Sequence, residues 1–321
     1  MPGQCQNKSE PSLSFWLGLA YDPLSCYAAK GRSMTETALP QDDALKFEDW
    51  AGEMGARWLA NLRGFESTIA PVGEALLARA AYCPGERVLD IGFGGGATSL
   101  AIAQAVNPGG EVIGIDISAD LVTATTHRAA LAGITNARFI CADAAMVTLD
   151  DGPCDRLFSR FGSMFFQDPV GAFTNLRSLI RHSGRIDLAV WGPPLQNPWM
   201  LEGMAVARRH VDMPAPIPRA PGPFAFEDVD YLREVLAASG FEQLDISVAQ
   251  GLLPVGGPSA TAEDAQAFVC NALAFGQILQ DCPEAVQAAA TSELTKLYAK
   301  HFRPGEGVMM GYTAWLVSAV A

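Results

Sequence analysis

A glycine-rich run lies between an apolar stretch and an alanine-rich one, and it holds the residues of clearest chemical meaning. Asp90 ends the apolar stretch, and Gly92, Gly94 and Gly96 follow it. A turn with several glycines lets the backbone approach a ligand that a Cβ would block. The helix expected after the turn directs free N–H groups into the same space. Residues 88–103 therefore predict the first strand, loop and helix of a nucleotide-cofactor site.

Three cofactor classes compete for a glycine loop at this place. A phosphate-binding ATPase loop needs a lysine directly after its last glycine, but residues 47–295 contain no lysine. A dinucleotide loop has the form Gly-x-Gly-x-x-Gly/Ala, which Gly92, Gly94 and Ala97 satisfy. Asp90 argues against that class, because a carboxylate there would repel a pyrophosphate. The same carboxylate suits a ligand that carries an ammonium group and no phosphate, which favours S-adenosylmethionine.

Four segments follow one another in order: the loop at 90–96, then 112–118, 137–144 and 157–166. Together they resemble the class I S-adenosylmethionine-dependent methyltransferases, and the likeness covers about residues 86–191. It is closest to the branch that includes quinone-biosynthesis C-methyltransferases and many small-molecule enzymes. The resemblance implies an α/β fold, a Rossmann-like doubly wound seven-stranded sheet, here with helical cap insertions. It also implies S-adenosyl-L-methionine as the cofactor.

The resemblance also implies roles for single residues. Asp90 and the loop glycines would hold the methionine end, Asp116 the ribose hydroxyls and Asp143 the adenine amino group. Alternatives stay open, because Asp116 could cap a helix, Asp143 could be an ordinary turn acid, and Ser159 could be a small residue at a strand end. No catalytic residue and no metal ligand is assigned. The predicted cofactor-binding residues are Asp90, Gly92, Gly94, Gly96, Asp116, Ile117, Asp143, Ala144 and Ser159.

The elements that position these residues follow from hydrophobic patterning, which alternates between strand and helix and predicts one doubly wound parallel sheet. Trp50, Met54 and Trp58 recur with Phe47 at helical spacing, so residues 44–64 predict an amphipathic helix that either covers the cofactor or packs on the core. Strands are expected near 87–91, 111–116, 137–142, 155–160, 184–191, 242–249 and 312–319. Helices are expected near 66–82, 97–107, 118–132, 171–182 and 226–239.

The chain is expected to contain one methyltransferase domain, residues 34–321. Residues 1–33 are expected to be a dispensable extension with Met34 as the working start, the alternative being a targeting role. Two segments exceed the minimal fold: the proline-rich 192–226 and the alanine-rich 259–303. Long insertions of this kind are often functional lids, so we expect a cap over the acceptor pocket, the alternative being plain packing or a homodimer surface. Candidate pocket residues are Trp191, Asn197, Trp199, Met200, Met204 and His210.

The amino-acid composition excludes several classes of binding partner. The formal charge is −13 with no basic stripe, so a nucleic acid is not expected. The chain shows no apolar run long enough to span a bilayer and no zinc-ligand spacing. The seven cysteines form no Cys-x-x-Cys pair, which predicts reduced thiols in a cytoplasmic protein.

The loop after the fourth strand lacks residues that particular types of methyltransferase need, and this excludes those reaction types. Residues 158–166 contain neither the acids that hold magnesium in catechol-type enzymes nor the Pro-Cys pair of cytosine methyltransferases. The prediction is therefore metal-independent, in-line methyl transfer to an O, C or N atom of a small organic acceptor. Arg160 is either an ion-pairing or an acceptor-binding residue. The alternatives are an NAD-dependent oxidoreductase and a non-enzymatic cofactor-binding protein that serves assembly or regulation.

Overall fold

The fold is organised around a single mixed sheet in which most strands are parallel. It is known from a computed structural model that describes residues 49–321. Five parallel strands come first in the chain: β1 (Arg87–Ile91), β2 (Glu111–Asp116), β3 (Ala137–Cys141), β4 (Cys154–Arg160) and β5 (Ile180–Trp191). Three more follow: β6 (Glu242–Pro254), β7 (Phe302–Arg303) and β8 (Gly307–Val320).

The strand order is β3-β2-β1-β4-β5-β8-β6, and β8 runs antiparallel to both of its neighbours. The order reverses between β1 and β4, and ligands of doubly wound sheets bind at the carboxyl ends of the strands at such a point. The predicted seven-stranded Rossmann-like sheet is confirmed. The two-residue β7, which pairs with β8, is an addition that the sequence pattern did not predict.

Helices cover both faces of the sheet. Because parallel crossovers are right-handed, the connections from β1 to β3 and the connection from β4 to β5 fall on opposite faces. The helices before β6 are α1 (Glu53–Ala60), α2 (Leu62–Ala80), α3 (Ala97–Ala105), α4 (Ala119–Leu131), α5 (Pro169–Ser178), α6 (Pro198–His210) and α7 (Val229–Ala238). Those between β6 and β7 are α8 (Ala262–Ala272), α9 (Ala274–Gln280) and α10 (Glu284–His301).

Two predicted helix boundaries are wrong. The helix expected at 171–182 ends at Ser178, because Ile180 already pairs with Cys154 at the start of β5. The helix expected at 44–64 is interrupted at Asn61, whose side-chain amide donates to the Arg57 carbonyl (2.9 Å). The Asn61 backbone N–H also donates to this carbonyl (3.1 Å), but φ −112° and ψ 20° at Asn61 leave the helical region and end α1. The part of that prediction before residue 49, and the whole of the 1–33 prediction, lie outside the described residues.

Both insertions leave the sheet at one edge. β5 ends at Trp191, which pairs with Ala314 in the middle of the antiparallel β8, so the first half of β8 extends beyond the end of β5. The segments after β5 and before β8 are therefore at the same edge as the carboxyl end of β1. Within this cap, α10 packs on α6 and α8. Phe268 of α8 also meets Phe65 of α2 edge to face, with ring centroids 5.2 Å apart.

A buried ion network joins the strands below the glycine loop. The Asp187 carboxylate on β5 has no exposed surface and accepts hydrogen bonds from Arg156 (2.6 Å), Arg185 (2.6 and 2.9 Å) and Ser318 (3.0 Å). Arg156 also donates to the Ala80 carbonyl (2.9 Å) at the end of α2. Asp187 therefore ties β4, β5, β8 and α2 together.

Cysteine pairing differs from the sequence expectation. Four cysteines in residues 49–321 are free, namely Cys141, Cys154, Cys270 and Cys282, whereas Cys83 is disulfide-bonded. The prediction of reduced thiols throughout is thus wrong for Cys83, because disulfide pairing depends on distance in space and not on sequence spacing.

Across residues 49–321, the structure contains no helix with the length and apolar character of a membrane span.

Candidate functional site

The glycine loop between β1 and α3 forms a tight backbone cradle. Gly92 has φ +66° and Gly96 has φ +77°, values that a residue with a Cβ rarely adopts. A Cβ at Gly92 would lie 2.7 Å from the Gly162 Cα, and one at Gly96 would collide with the Thr125 side chain. Glycine is therefore required at both positions by the backbone of the loop and by its neighbours.

Side chains of α4 and α2 hold the carbonyls of this loop. The Thr125 hydroxyl donates to the Gly94 carbonyl (3.0 Å). The Arg128 guanidinium donates to the Gly95 carbonyl (2.7 Å) and to Glu66 on α2 (2.6 Å). Sequence reasoning missed these supporting residues, since only the packing of α2 and α4 brings them to the loop.

Asp90 lies buried at the carboxyl end of β1, with 1% of its surface exposed. Its Oδ2 accepts from the Ser99 hydroxyl (2.6 Å), whereas its Oδ1 has no hydrogen-bond partner. Burial raises the pKa of Asp90 to about 7, although the Ser99 hydrogen bond and the charge of Arg160 lower it. A buried carboxylate with a free oxygen can bind a cation or a hydrogen-bond donor.

Asp116 lies at the end of β2, next to the loop. Its Oδ2 accepts from the Gly94 amide (2.9 Å) and its Oδ1 from the Ser118 amide (3.0 Å). Burial raises its pKa above the ordinary value. A carboxylate offers about four lone-pair sites, so two sites remain for hydroxyl donors. Ile117, the next residue, is 43% exposed, which is unusual for a large apolar side chain beside a buried carboxylate.

The remaining predicted site residues lie at the ends of β3 and β4. Asp143 is exposed and caps its own turn by accepting from the Ala145 amide (2.8 Å). Ala144 beside it is half-buried. Ser159 is fully buried, donates to the Ile91 carbonyl (2.8 Å) and accepts from the Ser163 amide (3.2 Å). Ser159 thus joins β4 to β1 and to the following turn, the structural role that the sequence had left open.

Helix α1 lies over the loop. A Cβ at Gly94 would lie 3.1 Å from the Trp58 indole nitrogen, and the Trp58 ring stacks on Phe65 at 3.9 Å. Trp50, just before α1, meets Phe165 edge to face with ring centroids 4.8 Å apart. The indole N–H groups of both tryptophans are buried without a hydrogen-bond partner. Helix α1 thus contacts the loop and also packs on the core through the Trp58 ring, and its role as a cover of the cofactor stays a prediction.

An aromatic wall lies at the ends of β4 and β5. Phe161, which follows β4, has φ +70° and stacks on Trp191 with ring centroids 4.0 Å apart. Trp191 also contacts the rings of Trp199 (5.3 Å) and Tyr312 (6.4 Å). The Trp199 indole N–H is buried without a partner. All four rings are largely buried in the hydrophobic core, and we expect their faces to suit an aromatic or apolar ligand at this edge of the sheet.

Two candidate pocket residues have structural contacts instead. Asn197 is fully buried, and its amide pairs with both backbone groups of Thr313 and with the carbonyls of Gly192 and Pro193. Its hydrogen-bonding groups are used within the protein, so the interpretation of Asn197 as a pocket residue is wrong. The His210 imidazole lies 2.8 Å from Glu293 and joins α6 to α10.

The cradle fits an adenosyl cofactor that carries an amino acid and no phosphate. Gly92 and Gly96 keep the loop in its tight positive-φ turn, because a Cβ at either position would collide with Gly162 or Thr125. The free Oδ1 of Asp90 suits an ammonium group, and the remaining lone pairs of Asp116 suit a vicinal diol. A pyrophosphate would be repelled by the ionised carboxylate of Asp90.

Comparison with known proteins agrees with this geometry. Residues 88–184 match the family described as "Methyltransferase domain", so the resemblance predicted from the motifs is confirmed over this segment. The chain is 34% identical over 124 residues to nocamycin O-methyltransferase of Saccharothrix syringae, covering 39% of this chain and 44% of that protein. It is 32% identical over 116 residues to aklanonic acid methyltransferase DauC of Streptomyces sp. (strain C5), covering 36% and 53%.

The chain thus spans about half the length of these curated relatives. Among solved structures, phosphoethanolamine N-methyltransferase 2 of Haemonchus contortus aligns with a TM-score of 0.51 at 14% identity, over 88% of this chain and 61% of that chain. This similarity supports the fold. The chain has the Rossmann-like α/β fold of this neighbour, and its residues 88–184 match the methyltransferase domain family.

Proposed function

We propose that this protein is an S-adenosylmethionine-dependent methyltransferase that acts on a small organic acceptor. The observation that carries the proposal is the glycine cradle at the switch point of the sheet, with Asp90 and Asp116 at the ends of β1 and β2. Its location coincides with the segment that matches the methyltransferase domain. The Haemonchus neighbour was solved with S-adenosylhomocysteine, which supports the same cofactor here.

Each residue of the cradle has a proposed task. Asp90 holds the ammonium group of the cofactor, and the loop glycines let the backbone approach it. Asp116 holds the ribose hydroxyls with its two remaining lone-pair sites, and Ile117 offers an exposed apolar surface for the adenine ring. Asp143 and Ala144 lie at the adenine end. Ser159 acts indirectly, by fixing the end of β4 beside the transferred methyl group.

The chain contributes to the reaction by alignment and by exclusion of water. When bound, S-adenosylmethionine supplies a methyl group that is already activated on a sulfonium. Helix α1 covers the loop, and the Phe161–Trp191 stack forms one wall where the acceptor would lie. Holding two reactants in line can contribute about 7–11 kcal/mol to lowering a barrier. We propose that the cap of residues 192–226 and 259–303 encloses the acceptor.

The acceptor class follows from the wall and from the relatives. The names of both relatives refer to small organic molecules, and one specifies O-methylation. We therefore propose a flat or apolar acceptor methylated on O, with C and N as alternatives. A formal charge of −13 makes a nucleic-acid acceptor unfavourable. A homodimer and a cytoplasmic location stay predictions.

Ligand-induced thermal stabilisation of the full-length chain tests the cofactor. S-adenosylhomocysteine should raise the melting temperature, and NAD should not, because ligand binding to the folded state stabilises it by about 2.7 kcal/mol at a hundred times Kd. Asp143→Asn should weaken binding about tenfold by removing one charge-assisted hydrogen bond. Asp150→Asn, an exposed acid in the β3–β4 connection, is the matched control. Stabilisation by NAD alone would refute the proposal.

A further inference from the structure

Arg160 is a buried cation without a partner at the edge of the candidate site. It is the last residue of β4, and 9% of its surface is exposed. Among residues 49–321 its guanidinium forms no hydrogen bond and no ion pair, and its Nη1 is buried without a partner. The sequence alternative of an ion-pairing Arg160 is therefore not realised in this structure.

Arg160 and Asp90 lie on the same face of the sheet. Asp90 pairs in register with Phe158, and Arg160 is two residues further along β4, so side-chain alternation directs both side chains to one face. The charges of Asp90 and Glu66 both act on Arg160, while burial lowers its pKa. Glu66 is already engaged by Arg128 (2.6 Å), and one oxygen of Asp90 by Ser99 (2.6 Å).

Two opposite charges are thus buried near each other, and each keeps an unused hydrogen-bonding atom. They are Oδ1 of Asp90 and Nη1 of Arg160. Burial of an unpaired ion costs several kcal/mol, whereas a direct Asp90–Arg160 hydrogen bond would have offset part of that cost. The arrangement is explained if a ligand supplies a cation to Asp90 and an anion to Arg160. A zwitterion has both groups at short separation.

We propose that Asp90 and Arg160 form a two-point receptor for an α-amino-acid group, in which Arg160 holds the carboxylate and Asp90 the ammonium. The inference rests on the proposed function, because the α-amino-acid group is then the methionine end of the cofactor. It assigns Arg160 to cofactor binding and removes it from acceptor binding. It also accounts for the choice of arginine, whose planar fork matches a carboxylate in two hydrogen bonds.

Four ligands distinguish the contribution of the ligand carboxylate from that of its ammonium group when their binding to the full-length chain is measured. They are S-adenosylhomocysteine, its decarboxylated analogue, its deaminated analogue, and methylthioadenosine, which lacks both groups. Isothermal titration calorimetry gives each Kd. The wild-type protein should prefer S-adenosylhomocysteine over the decarboxylated analogue by about 10- to 100-fold, the range for a hydrogen bond to a charged group.

Substitutions at Arg160 and Asp90 test which residue recognises the carboxylate and which recognises the ammonium group. Arg160→Met should remove the preference for the carboxylate and keep the preference for the ammonium, and Asp90→Asn should do the reverse. Arg160→Gln gives the same comparison if the Met variant does not fold. Arg233→Met, on the partly exposed side of α7, is the matched control and should leave all four Kd values unchanged.

The melting temperature of the ligand-free protein distinguishes a ligand-binding Arg160 from an arginine that only stabilises the fold. Removal of an unpaired buried charge should raise the melting temperature of ligand-free Arg160→Met while its affinity for S-adenosylhomocysteine falls. If Arg160→Met and Arg160→Gln keep the carboxylate preference, or the wild type has none, the two-point receptor is refuted. If the wild type binds none of the four ligands, the proposed function itself fails, so the two failures are distinguishable.

Discussion

At the scale of single residues, we expect the protonation state of Asp90 to control cofactor binding. Its pKa of about 7 in the ligand-free protein means that the carboxyl is protonated below neutral pH. An ammonium group needs the ionised form. We therefore expect the Kd for S-adenosylhomocysteine to rise about tenfold for each pH unit below that pKa and to level off above it. Calorimetric titrations across the pH range measure this.

Asp90→Asn is the control for the pH prediction. The variant should bind more weakly above neutral pH and show little pH dependence. Folding stability changes with pH in the opposite direction to that expected for an ordinary paired carboxylate. Because the folded-state pKa is raised from 3.8 to about 7, stability decreases as pH rises between these values. Ligand-free Asp90→Asn should therefore gain stability over the wild type above that range. A wild-type affinity that does not change with pH contradicts the assignment of Asp90.

At the scale of elements, we expect α1 to cover the cofactor through contacts that depend on Trp58. The indole stacks on Phe65 at 3.9 Å and lies against Gly94. Trp58→Ala should weaken S-adenosylhomocysteine binding about tenfold, or about 1.4 kcal/mol, since the stack and its burial are lost. Fluorescence titration of the remaining tryptophans or calorimetry measures the change.

Trp58→Phe keeps an aromatic ring on Phe65 and is the matched variant. It should retain most of the affinity, since the Trp58 N–H has no partner to lose. Equal affinities of the Ala variant and the wild type would show that α1 only packs on the core, which was the other sequence alternative. The circular dichroism spectrum of each variant checks that α1 and α2 remain folded.

At the scale of the whole molecule, the sheet depends on the buried network around Asp187. Asp187→Ala leaves Arg156 and Arg185 without their shared partner on β5. Removing one member of a buried pair costs about 3–5 kcal/mol, so the free energy of unfolding in urea should fall by about that amount. Asp245→Ala removes an exposed partner of Arg79 and should cost about 1 kcal/mol or less.

The network around Asp187 and the cofactor cradle should be separable. Asp187→Ala should leave the Kd for S-adenosylhomocysteine unchanged at a temperature where the variant is still folded. A large loss of affinity without a loss of stability would mean that Asp187 belongs to the site. Urea unfolding and calorimetry on the same preparation distinguish a role of Asp187 in sheet stability from a role in cofactor binding.

The sequence by itself determined the glycine loop, the main strands and the positions of Asp90 and Asp116. These features depend on short-range physics. Positive φ values require glycine in a tight turn, and apolar runs flanked by turns form buried strands. The observed β1 and β2 bounds, Arg87–Ile91 and Glu111–Asp116, equal the predicted ones. The boundary of α5 was missed because the pairing of Ile180 with Cys154 is not local.

Only the tertiary structure decided what each polar side chain does. Asn197 looked like a pocket residue and is bonded to Thr313 on β8. Arg160 looked equally suited to an ion pair and has no hydrogen-bond or ion-pair partner within residues 49–321. Ser159 and Asp187 acquire their roles from strands far away in the chain. The physical reason is that the energy of a buried polar group depends on its partners, and those partners are brought together by the packing of distant segments.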